Sequence, residues 1–294
     1  LLPAELTDAA GTEGFGITVA GLQGGHSGAD IHLGRGSANR LMGRVLAAAL
    51  EKFPGLRLAV ISGGQFDNVI CSRCDAVVAL PTGSGAAFTA FIREFDAALK
   101  NEYAVTDPGV TLTCAAAEAA KAVPAERTAT LVQALAAMPQ GVEAMDTDFP
   151  GLVQTSLNMG VVKLNGDGLH ITFSIRSSIA SRKLMLAQRV RAVAALAGGT
   201  VAERGVYPGW QYKRESKFRD TLLAAYKDLT GKDGVVEATH GGLECGLLME
   251  KIPGLDAVSM GPELHDVHSV RERLNVPSTE RTYELVCELL RRSC

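Results

Sequence analysis

The chain has 294 residues, of which 47% are hydrophobic and 21% charged, and a formal net charge of −3. This is the composition of a folded globular protein, and its weak negative balance sets nucleic acid and anionic membranes aside as main partners, leaving a small neutral or zwitterionic ligand as the better fit. No run of about 18 apolar residues occurs, and the first residues lack the basic flank and apolar core of a signal peptide, so a cytoplasmic setting is expected.

Residues 14–20 alternate as a short strand, and after a glycine-rich loop residues 37–52 carry Leu41, Val45, Leu46 and Ala49 at helical spacing. Residues 56–62 and 69–80 are rich in β-branched side chains and read as strands. Residues 86–103 place Phe88, Phe91, Ile92, Phe95 and Leu99 on one helical stripe, and residues 110–115 return as a strand. From Thr128 the order repeats loosely: a helix through Met138, strands at 155–164 and 169–177 joined by the turn Asn165-Gly166-Asp167-Gly168, a helix at 182–196 and a strand at 200–205. Two similar β-α-β-β-α-β-like halves are expected, forming an α+β unit whose antiparallel sheet is covered by helices.

Beyond Tyr207-Pro208-Gly209-Trp210 the pattern changes to helices at 218–230, 243–250 and 280–291 alternating with apolar strands at 235–238 and 256–260. Such alternation predicts the C-terminal part of an α/β domain with a largely parallel sheet. The boundary is placed at about residue 207, giving units 1–207 and 208–294.

The six cysteines (Cys71, Cys74, Cys114, Cys245, Cys287, Cys294) are too sparse for a disulfide framework. Cys71 and Cys74 form a Cys-x-x-Cys with no second pair to complete a four-ligand zinc site. In an apolar stretch they read better as small hydrophobes.

Of six histidines, His170 inside a strand and His32 in a loop read as structural. His26, in Gly24-Gly25-His26-Ser27-Gly28, stands where glycines let the backbone approach a ligand and leave the imidazole unshielded; a plain loop residue is the alternative. His268 lies beyond the expected strand 256–260, at the edge where open α/β sheets bind ligands. It is either a metal ligand or a surface residue. The segment from His240 through Gly242 and Glu244 to Gly246 joins a strand to a helix, and its backbone N–H groups could hold an anionic group or simply make a tight turn.

Taken together, these motifs resemble the aminoacylhistidine dipeptidases of the co-catalytic zinc exopeptidases, a group that includes the carnosinases. They are Gly24-Gly25-His26-Ser27-Gly28 with Asp30-Ile31-His32-Leu33-Gly34, Ile175-Arg176-Ser177-Ser178, Tyr207-Pro208-Gly209-Trp210, Gly242-Leu243-Glu244-Cys245-Gly246 and Ser259-Met260-Gly261-Pro262 followed by His268-Ser269. The resemblance runs from near residue 14 to the C-terminus and implies a lid domain at 1–207 followed by the last part of a zinc-binding α/β catalytic domain. It implies His268 as a metal ligand, His26 as the lid histidine that reaches the scissile carbonyl oxygen, Asn68 and Arg176 as substrate-holding residues, and Gly242 and Glu244 as part of the pocket for the substrate's C-terminal residue. It also implies hydrolysis of Xaa-His and other dipeptides by a water bound between two zinc ions, with cobalt or manganese as possible replacements, and a homodimer.

The sequence departs from the family pattern in places. It contains no His-x-Asp and no Glu-Glu, the elements that supply the remaining metal ligands and the general base, so the N-terminal metal-binding half is expected to lie outside this chain. The family's Asn-Ala-Ile-Pro-Arg is Asn68-Val69-Ile70-Cys71-Ser72 here, and Val270-Arg271 stand where the family has proline and aspartate. A second class of function, a non-catalytic substrate-binding or oligomerisation module, fits a chain with a whole lid and one expected metal ligand.

Overall fold

The computed structural model describes residues 1–266 and 270–293. The chain forms two compact units, Leu1–Val206 and Tyr207–Cys294.

The first unit begins with β1 (Leu2–Pro3), β2 (Thr7–Asp8), β3 (Thr12–Ala20) and β4 (Gly25–His26). It continues through α1 (Ala38–Lys52), β5 (Arg57–Gly63), β6 (Val69–Ile70), β7 (Cys74–Pro81), α2 (Gly85–Glu102), β8 (Thr111–Ala116) and β9 (Lys121–Ala122). It ends with α3 (Ala125–Ala137), β10 (Gly141–Met145), β11 (Val153–Asn165), β12 (Gly168–Ser177) and α4 (Ala180–Leu196). An eight-stranded sheet runs in the order β1-β12-β11-β5-β7-β3-β8, with β10 also on β11. Every pairing in it is antiparallel.

The helices adjoin in the order α2, α1, α3, α4 and pack on the sheet as one layer. Their apolar stripes explain this. On α1, Leu41, Met42, Val45, Leu46 and Ala49 are fully buried, the three-to-four-residue recurrence of a core-facing helix. Between α1 and α2 the ring of Phe88 lies 5.4 Å from Phe15, 5.2 Å from Phe53 and 6.2 Å from Phe91, the centroid spacing of packed aromatic pairs.

One feature of the sheet matters for the site. Along one edge β11 pairs with β12 through Thr155 to Asn165, while its other edge is shared by β10 at residues 153–157 and β5 at residues 162–163. Residues 64–70 sit in this fork. Asn158, buried on β11, donates from Nδ2 to the carbonyls of Asp67 (2.7 Å) and Val69 (2.8 Å). Gly160 lies so near the loop that an added Cβ would fall 2.5 Å from the Asp67 Cα and the Phe66 carbonyl oxygen.

The expected strand at 69–80 is two strands. Residues 69–70 pair with β4, and the chain then crosses to pair from Cys74 with β3 and β5. Both cysteines are buried and free, and burial raises each thiol above its ordinary pKa. The expected strand at 200–205 does not form. Instead Thr200 exchanges backbone hydrogen bonds with Leu1 at 2.9 and 3.0 Å.

The second unit comprises α5 (Lys217–Thr230), α6 (Glu244–Lys251), β13 (Leu264–His265), β14 (Arg273–Leu274) and α7 (Val276–Ser293). Ser216 caps α5 by accepting from the Arg219 N–H, and Gly231, at φ 70°, ends it in the left-handed conformation. The parallel sheet expected here is absent among the described residues. Residues 235–238 and 256–260 carry the apolar pattern but find no neighbouring strand to take up their backbone groups, which a parallel strand requires on its edges. Ala225 and Leu289 are the buried apolar side chains of this unit among the described residues.

Candidate functional site

The site in the first unit is built on the short ladder β4–β6, where Gly25 pairs with Ile70 and His26 with Val69. The ladder continues as the Ser27 N–H donates to the Asn68 carbonyl at 2.8 Å. The loop carrying His26 is thereby fastened to the loop held in the fork of β11, and Asn68 becomes a neighbour of His26 across a sequence separation of about forty residues. Beneath the ladder Ile31, Ile70 and Val153 form a small apolar cluster.

After His26 the chain turns sharply. The His26 carbonyl accepts from the Asp30 N–H at 2.8 Å, and the His26 N–H donates to Asp30 Oδ2 at 2.8 Å. The imidazole is exposed, yet it is oriented: Nδ1 faces the backbone N–H groups of Gly28 and Ala29 at 3.3 and 3.2 Å. A ring nitrogen that accepts holds its lone pair, so in the neutral imidazole the proton resides on Nε2. Nε2–H is then a donor directed away from the loop.

Arg176, on β12 opposite Ser156, reaches the same place. A Cβ added to Gly28 would lie 2.9 Å from His26 Cε1 and 3.4 Å from Arg176 Cζ, so the glycine leaves room for both side chains to flank it. Burial lowers the Arg176 pKa from its ordinary value, with the nearby Asp67 carboxylate opposing the shift. Its Nε is buried without a hydrogen-bond partner, as is the hydroxyl of Ser27, a residue 1% exposed. Each such group costs about 1–3 kcal/mol if left unpaired. Donors held unpaired beside an oriented imidazole suit the binding of an anionic or carbonyl-bearing ligand.

The structure thus brings together His26, Asn68 and Arg176. Gly242 and Glu244 belong to the second unit, at the start of α6, where Glu244 is exposed in the first turn and its charge complements the helix N-terminus. An added Cβ at Gly242 would lie 2.2 Å from the Tyr207 ring, and one at Gly246 3.3 Å from the Pro208 carbonyl oxygen. These glycines therefore let the Tyr207–Trp210 segment pack against the start of α6. His268 lies outside the described residues. Among the described residues no group of three or more His, Cys, Asp or Glu side chains could hold a metal ion, so they do not by themselves make up a metal site.

Sequence reasoning did not assign roles to Asp30, Arg35 or Asn158. Asp30 stands four residues from His26, a spacing that could have raised the idea of a closed turn, but nothing local signals Asn158.

Residues 17–107 match the family model of the peptidase dimerisation domain. The chain is 34% identical over 283 residues to the cytosol non-specific dipeptidase of Escherichia coli (strain K12), covering 96% of this chain and 58% of that protein. It is also similar to the crystal structure of the aminoacylhistidine dipeptidase from Vibrio alginolyticus, with a TM-score of 0.89 and 32% identity over 98% of this chain and 59% of that one. The chain therefore spans somewhat less than three fifths of the length of these relatives. No helix of the described residues is long and apolar enough to cross a membrane.

Proposed function

We propose that this chain, a relative of the cytosol non-specific and aminoacylhistidine dipeptidases over nearly its whole length, supplies the lid (residues 1–207) and the C-terminal catalytic segment (208–294) of a metal-dependent dipeptidase. The observation that carries this reading is the convergence of His26 and Arg176 about Gly28, with Asn68 held next to the same turn from the fork of the sheet, an imidazole oriented through Nδ1 and a guanidinium Nε left unpaired.

In this reading the substrate is a dipeptide, Xaa-His among others. Arg176 and Asn68 hold it, and the His26 Nε2–H donates to the scissile carbonyl oxygen as charge develops there. A well-placed donor of this kind is worth on the order of 3 kcal/mol in the transition state. Gly242 and Glu244 line the pocket for the C-terminal residue of the substrate. The metal is zinc, with cobalt or manganese able to replace it, and supplies the activated water when bound. His268 is its ligand from this chain, and the other ligands come from sequence beyond it. The match of residues 17–107 to a dimerisation domain supports a homodimer, and the setting is cytoplasmic.

The test uses the complete enzyme loaded with metal. Turnover of Xaa-His dipeptides is expected, with His268→Ala losing both bound metal and activity. Full metal content in that variant removes His268 from the centre. Tight dipeptide binding with no turnover in any metal form would favour the substrate-binding module instead.

A further inference from the structure

The turn that carries His26 is closed from beneath by two residues that the proposed chemistry does not use. Asp30 Oδ2 accepts the His26 backbone N–H at 2.8 Å and lies 3.7 Å from Arg35 Nη1. Arg35 Nη1 in turn donates to the Gly24 carbonyl at 2.8 Å. The pair presses on Gly25, where an added Cβ would fall 2.6 Å from both the Arg35 Nη1 and Asp30 Oδ2 atoms. Gly25 is at φ 137°, a conformation that only glycine adopts freely. Both side chains are about three-quarters shielded from solvent, so the pair is held in a partly dry place where its geometry is less screened than on an open surface.

The consequence reaches the imidazole through the backbone. The Gly28 and Ala29 N–H groups that face Nδ1 lie inside the loop between His26 and Asp30. They point inward because this loop is closed at both ends by the reciprocal bonds between those two residues. We propose that Asp30 and Arg35 are positioning residues for His26: they hold the turn in the shape that engages Nδ1 and leaves Nε2 as the proton-bearing nitrogen. The inference rests on the reading of His26 as the oxyanion donor for its catalytic meaning, but its structural content is the tautomer, which can be read without turnover.

The chain labelled with ¹⁵N-histidine reports that tautomer directly by long-range ¹H–¹⁵N correlation, with His26→Ala assigning the signal. The parent is expected to show the Nε2–H form. Asp30→Ala and Arg35→Met are expected to give a signal averaged between the two tautomers, and Asp30→Asn, which keeps an acceptor for the His26 N–H, to restore most of the parent signal. In the complete metal-loaded enzyme Asp30→Ala and Arg35→Met should lower kcat roughly ten- to a hundredfold, with KM within about twofold and metal content unchanged. If Asp30→Ala fails to fold, Arg35→Met carries the test. Parent-like tautomer signals in the folded variants overturn the proposal. An unchanged kcat in His26→Ala instead overturns the catalytic reading, while the tautomer measurement still decides what Asp30 and Arg35 do.

Discussion

At the scale of single residues, the site contains two buried polar atoms without a partner, Arg176 Nε and Ser27 Oγ. Arg176 is half-buried with an unsatisfied Nε, so its replacement should act on ligand binding and leave folding nearly intact. In the complete enzyme Arg176→Met is expected to lower kcat/KM at least tenfold with metal content unchanged, since the lost interaction is with substrate. Steady-state rates on several dipeptides check this, and unchanged kcat/KM on all of them would remove Arg176 from the site. His26→Ala is expected to lower kcat by roughly a hundredfold while KM and bound metal stay near their parent values, because a donor to the developing oxyanion acts mainly in the transition state. Rates within twofold of the parent would return His26 to a structural loop role. The sequence made His26 visible because glycines surround it, and it pointed to Arg176 and Asn68 only through their motifs. That these three meet follows from β11 and β12 carrying Arg176 back beneath a loop some 150 residues earlier, which no local pattern encodes. Arg35 was equally hidden and Asp30 showed only as a four-residue spacing from His26, since their effect passes through backbone groups.

At the scale of elements, the fork of β11 between β10 and β5 is the device that places Asn68. Gly160→Ala would push a methyl group into the Phe66–Asp67 backbone. It is expected to cost about 1–3 kcal/mol in stability and to weaken substrate binding, which denaturant titration and KM measurements would show. On the surface, Arg44 of α1 grips Glu102 of α2 with bonds of 2.7 and 2.9 Å. Hydrogen bonding from Arg44 holds the Glu102 carboxyl below the usual carboxylate range. The pair therefore adds stability above pH of about 4.3, and that stability is lost as pH falls through the lower folded value. With more than a third of each side chain exposed, the gain is about 0–1 kcal/mol. Arg44→Met should lower Tm slightly at pH 7, and the difference should vanish in acid; a difference that grew in acid would refute the sign. The helices and the β11–β12 hairpin were legible because their apolar periods and turn residues are local. The strand β10 was not, since Gly141–Met145 is largely exposed and lacks an alternating pattern. The apolar runs at 235–238 and 256–260 misled for the opposite reason: their pattern suits a strand, but pattern alone does not provide a partner.

At the scale of the whole chain, the two units differ in what holds them. Leu1–Val206 contains a continuous core from β1 through α4, whereas among its described residues Tyr207–Cys294 buries two apolar side chains. Burial is the main stabilising term in a fold, so limited proteolysis of the chain should degrade residues 207–294 well before 1–206. Equal rates of cleavage in the two units would contradict this. The buried thiols noted earlier supply a clock for such openings. Cys71 and Cys74 lie in the core of the first unit and are shielded from reagents, while Cys245 and Cys287 are partly exposed in the second. A thiol reagent at neutral pH should thus mark the partly exposed Cys114, Cys245 and Cys287 early, and Cys71 and Cys74 only when the sheet of the first unit opens. The lag between labelling of these three cysteines and of Cys71 and Cys74, followed by mass along the chain, would measure how often the layer beneath α1 comes apart while the rest of the molecule remains folded.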